Sequence, residues 1–193
     1  MCKISQIVFL FCFAFFSLAG CKPNHRYIYE GFSVSNTNVN YSSTVCSLSL
    51  KGEEQYAGKD NKTGMSLSYF RSPYNILISF YFPKEQSGLV ELKYLSFYMD
   101  GLKVKSKEVN SKKKFDNKTI FRKGGVRQIR EEKESRAFFL IKQVKIPHSK
   151  LKLGVTALIT EKNVGVVKKW TFELTPFVEE KLRNDQKDSF MSI

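Results

Sequence analysis

The sequence predicts a mainly β fold: a single antiparallel β-sandwich with a basic insertion and a short C-terminal helix. Three observations predict it. Apolar and polar residues alternate with period two, as half-buried strands require. Cys46, Leu48 and Leu50 against Ser47 and Ser49, and Leu151, Leu153, Val155, Ala157 and Ile159 further on, are the clearest runs. Between Pro73 and Pro83, Ile76–Phe82 is apolar on both faces, the mark of a central strand. Turn signals separate such runs, above all Asp100-Gly101, a dipeptide suited to a two-residue hairpin turn.

In chain order, residues 1–20 have the build of an export signal: Lys3, then an apolar run over Ile7–Phe16, then small residues at Ala19 and Gly20. The run is too short to span a bilayer, which takes about 20 residues. Leu18-Ala19-Gly20-Cys21 resembles the lipobox of bacterial lipoproteins. The resemblance covers the first 21 residues. It implies cleavage before Cys21, a diacylglycerol thioether on its sulfur and acylation (palmitate-type chains) of the new amino terminus. At about 0.8 kcal/mol per buried methylene, two or three chains hold a protein stably. Lys22, where an Asp implies inner-membrane retention, resembles the class carried to the outer membrane. A competing reading is a secreted protein cut near Ala19, with Cys21 free to pair with Cys46. The triplets Asn40-Tyr41-Ser42, Asn61-Lys62-Thr63 and Asn117-Lys118-Thr119 fit N-glycosylation acceptors and lean that way.

Residues 21–26 are then a lipidated tether, and 27–193 the folded domain. A strand is expected over Tyr27–Val34, with Tyr27, Tyr29 and Phe32 inward. The Asn- and Ser-rich 35–43 and the polar 51–64 read as loops. Cys46 falls on an apolar face, where a free cysteine is a core residue, with no neighbour to activate it. A strand around Met65–Tyr69 and the central strand after Pro73 follow. Leu89–Met99 is a long strand whose inward phase slips between Tyr94 and Leu95, the sign of a bulge.

Residues 106–136 read as the basic insertion. Residues 103–130 hold eleven Lys or Arg against Glu108 and Asp116, and so nine of the chain's fourteen net positive charges. Either Gly124-Gly125 turns a basic hairpin, or Val126–Arg136 is a short helix with i,i+4 Arg–Glu pairs. The candidate binding residues are Lys112, Lys113, Lys114, Arg122, Lys123, Arg127 and Arg130. Strands over Phe138–Ile146, Leu151–Ile159 and Val166–Leu174 follow, with a turn at Glu161–Val164. Thr175-Pro176, with Glu179 and Glu180 behind it, reads as the cap and first turn of a helix over 176–187. Eight to ten strands of this kind place the sandwich in the immunoglobulin/transthyretin-like group.

The chemistry is sparse. His25 and His148 belong to no metal-binding spacing, and no nucleophile elbow or phosphate-binding glycine loop is present. The adjacent glutamate pairs at 53–54, 131–132 and 179–180 read as solvated surface. The chain is therefore read as no enzyme, with no cofactor and no metal. An envelope hydrolase is the third choice, since it needs a cleft the sequence does not display. A net charge of +14 points to anionic partners, either anionic lipid or an acidic envelope protein. An exported, tethered chain does not meet nucleic acid. Leu151–Leu174 resembles the closing strands of type VI secretion outer-membrane lipoproteins, also sandwiches. That likeness implies an assembly component of a secretion machine and carries no site residue. An immunity lipoprotein against a periplasmic toxin fits the anchor as well.

Overall fold

The computed structural model describes residues 23–36, 44–84, 86–123 and 126–183, with the backbone alone over 119–123 and 126–133. Cys21, the tether up to Lys22 and the residues after Arg183 lie outside them. All eight described elements are strands: β1 (His25–Asn36), β2 (Val45–Lys59), β3 (Ser66–Phe82), β4 (Gly88–Met99), β5 (Leu102–Lys123), β6 (Val126–Val144), β7 (Leu151–Glu161) and β8 (Val164–Arg183). They form one sheet in the order β1-β8-β7-β4-β5-β6-β3-β2, and β1 also pairs with β3. That pairing closes seven strands into a barrel, with β2 as an extra strand on β3.

The sandwich expectation is therefore wrong. Alternating runs and tight turns are common to sandwiches and barrels. What separates them here is the long-range pairing of β1 with β3, which leaves no local trace. The expected helix over 176–187 is wrong for its described part, which continues β8 to Arg183. A helix this short is marginal without packing, and the strand is packed: a Cβ on Gly31 would lie 2.5 Å from the Phe177 ring. Pro176 lies past the last β7 partner, Leu151↔Leu174, so no N–H is needed on that side.

The basic stretch is not an insertion either. It runs as β5 and the first half of β6, paired from Asp116↔Arg136 to Lys123↔Val126. The helix reading falls, since Val126–Arg136 is strand paired with β5, while Gly124-Gly125, the expected hairpin turn, lie outside the described residues. β2 extends to Lys59, so most of the expected loop over 51–64 is strand. β3 runs through Pro73, whose bond to Ser72 is cis.

Two compact units are distinguished. The larger comprises 29–55 and 70–179. Its core includes Phe32, Cys46, Ile78, Phe80, Val155, Ala157, Trp170 and Phe172, while Leu48 packs partly buried against it. The strands form because alternate residues bury. In β7, Leu151, Leu153, Val155, Ala157 and Ile159 are inside, and β8 sets Trp170 opposite Val155 and Phe172 opposite Leu153. The Leu, Val, Ile and Phe side chains among these each contribute about 1.5–3 kcal/mol on burial. In β4 both ladders shift between Leu92 and Tyr94. The bulge is thus at Lys93, one position before the expected slip, and Tyr94 faces outward at 44% exposure. Gly88 meets β7 so closely that a Cβ would lie 2.2 Å from the Thr160 carbonyl oxygen.

The smaller unit comprises 56–69 with the described residues 23–28 and 180–183. The Asn24 N–H donates to the Arg183 carbonyl and the Ser66 N–H to that of Asn24, each at 3.0 Å. Arg26 pairs with Glu180 at 2.7 Å. Asp60 accepts from the Lys62 N–H, which holds its carboxyl below the usual carboxylate range.

Candidate binding surface

The barrel interior is occupied by side chains. Phe80 sits edge-on to Trp170 at 5.2 Å and to Phe139 at 5.8 Å, and Phe82 stacks on Phe115 at 3.8 Å. Cys46 belongs to this core at 3% exposure, and burial pushes its thiol pKa up. Such a thiol is inert. The histidines serve the fold. His148 Nε2 lies 3.0 Å from the Gly31 carbonyl oxygen and its ring packs against Phe32. His25 lies 3.0 Å from the Ser68 hydroxyl and stacks on Tyr27. Among the described residues no three His, Cys, Asp or Glu side chains are grouped to hold a metal.

The candidate basic residues are spread along a ribbon. Lys112, Lys113 and Lys114 on β5 face Glu91, Val90 and Leu89 on β4, and all three lysines are exposed. Glu91 is nearly buried, with Lys93 at 2.7 Å and Lys112 at 3.7 Å. The Lys93 hydrogen bond, with Lys112 nearby, keeps its carboxyl below the usual glutamate range. Ten residues on, at about 3.3 Å per residue and so roughly 30 Å away, β5 reaches Arg122. There the ladder sets Arg122 opposite Arg127, Lys123 opposite Val126 and Thr119 opposite Arg130.

Sequence reading missed two surfaces. On the outer face of β3 and β6, Leu77 faces Leu140 and Ser79 faces Phe138. Phe138 and Leu140 are 45% and 55% exposed. The alternation that buries Phe139 and Ile141 is the only sequence signal for them. The other is a depression of about 570 Å³ across β5, β4, β7 and β8. Its floor is one row of small residues, Ser106–Ser96–Gly154–Thr171, each paired with the next. One wall is the row Tyr94–Thr156–Lys169, and the other carries Tyr98 beside Lys103. Four strands supply these residues, so only their register makes the row visible.

No protein-family model, no curated protein and no solved structure matches the chain.

Proposed function

We propose that this chain is a lipid-anchored bacterial envelope protein, held through Cys21 and facing the periplasm from the outer membrane, which docks without catalysis on an anionic lipid surface. One observation carries the docking: nine of the fourteen net charges fall within residues 103–130, which run as β5 and the start of β6. Each basic residue near an anionic bilayer gains roughly 1 kcal/mol. The exposed Phe138 and Leu140 extend the same strand, β6, and supply apolar area beside the charge. The lipobox-like Leu18–Cys21 supports the anchor, and a tether raises the effective concentration of the surface.

The core lies between Phe32 and Leu174, so a chain beginning at residue 21 with Cys21→Ser keeps all of it. Its binding to vesicles with and without anionic lipid tests the reading. It should bind the anionic vesicles, and release as salt shortens the Debye length below about 8 Å. Replacing Lys112, Lys113, Lys114, Arg122 and Lys123 with Gln should weaken binding at least tenfold with little change in melting temperature. Equal binding to neutral vesicles, or no loss in the variant, contradicts it.

A further inference from the structure

The depression on the outer face of β4 and β7 differs in build from the basic ribbon. Its middle row, Ser106–Ser96–Gly154–Thr171, crosses four neighbouring strands. At about 4.8 Å between strands the row is roughly 14 Å long. Tyr94 and Tyr98 stand on either side of it, two residues apart in each direction from Ser96. A trough with a hydroxyl-bearing floor and phenol walls suits a ligand whose faces are C–H and whose rim is hydroxyl. Sugar rings have that build. The Ser106 hydroxyl donates to the Leu95 carbonyl at 3.4 Å and lies 3.5 Å from that of Ser96, both long contacts, and each hydroxyl oxygen keeps lone pairs that can accept from a ligand.

Charge adds a second requirement. Lys103 and Lys169 line the trough at opposite sides. The acids at the ends of these rows are each engaged: Glu108 accepts from the Asn110 side chain, and Glu173 lies 3.6 Å from Lys152. Along these two rows Lys103, Lys152 and Lys169 outnumber Glu108 and Glu173 by one, so the net charge beside the floor is positive. A peptide strand is a poor occupant, because β4 is already paired on both edges, with β5 and β7, and offers no backbone for strand addition. An aliphatic ligand is no better, since Val155 and Trp170 in the lining are buried in the core.

We infer that this trough binds an acidic glycan, with a sugar ring seated between Tyr94 and Tyr98 over Gly154 and its carboxylate or phosphate turned to Lys103 or Lys169. Gly154 is the fitting test position. A Cβ there would meet Tyr98 at 3.5 Å, ordinary contact, so the fold accepts a side chain that the trough does not.

Isothermal titration of the soluble chain with a galacturonate tetramer, the neutral galactose tetramer and mannose 6-phosphate tests it. At least one acidic sugar should bind, tenfold or more tighter than the neutral tetramer. The stronger of the two acidic probes tells whether carboxylate or phosphate is read. Gly154→Thr and Tyr94→Ala should each cut that binding at least tenfold with melting temperature unchanged, and Lys103→Gln with Lys169→Gln should erase the preference for acid. No binding of either acidic sugar, or binding that survives Gly154→Thr, overturns the inference. The vesicle variant changes none of the lining residues, so failure of membrane docking and failure of this site read out separately.

Discussion

Single residues show how far local pattern reaches. Cys46 alternates with Ser47 in the sequence, and that alternation alone places it inside. The structure adds the cause of its inertness, a buried thiol whose pKa is raised. A thiol reagent should therefore label it slowly in the folded protein and fast in denaturant. Labelling as rapid as that of a free thiol would place it at the surface. Trp170 was legible in the same way and is 2% exposed, edge-on to Phe80. Trp170→Ala should cost about 3–5 kcal/mol, because a cavity is left as well as a transfer term. Urea unfolding measures it, and an unchanged midpoint would contradict the packing. Tyr94 was misread, because a period-two count cannot tell on which residue a bulge falls. The bulge at Lys93 turns Tyr94 out of the core and into the wall of the trough.

Elements were legible where the turn chemistry is local. Asp100 and Gly101 have φ of 51° and 80°, and Lys162 and Asn163 have 46° and 66°. Both pairs make two-residue turns with two left-handed positions, which suit the twist of the flanking strands. Gly101→Ala should lower stability by about 1 kcal/mol, since alanine resists that conformation. Thermal melting reads it, and an unaltered transition would argue against the turn. Elements were illegible where tertiary pairing overrode a local signal. Thr175-Pro176 and the following glutamates carry a helix start, yet β8 runs straight through them. The charge run over 103–130 looked like an excursion because lysines are poor strand formers. The neighbouring ladders, with β4 and then with β6, hold it extended all the same.

At the scale of the whole molecule, closure was the feature the sequence concealed. Three signals of a sandwich are also signals of a barrel, and the β1–β3 pairing that closes it joins segments separated by all of β2. Closure matters for function because a barrel of this size fills its interior with side chains. That leaves the outer face, with its basic ribbon and trough, for the binding proposed above. The candidate basic residues were legible as composition. Their arrangement, with Arg122 opposite Arg127, was not. The proposed docking depends above all on where this barrel is held. Intact-mass measurement on the protein extracted from bacterial membranes tests that most directly. Lipid anchoring predicts a chain beginning at Cys21, heavier than its residues by a diacylglycerol and a further acyl chain, with Cys21 blocked to alkylation. A chain of unmodified mass whose Cys21 alkylates freely, or one whose Cys21 is joined to Cys46, would contradict it.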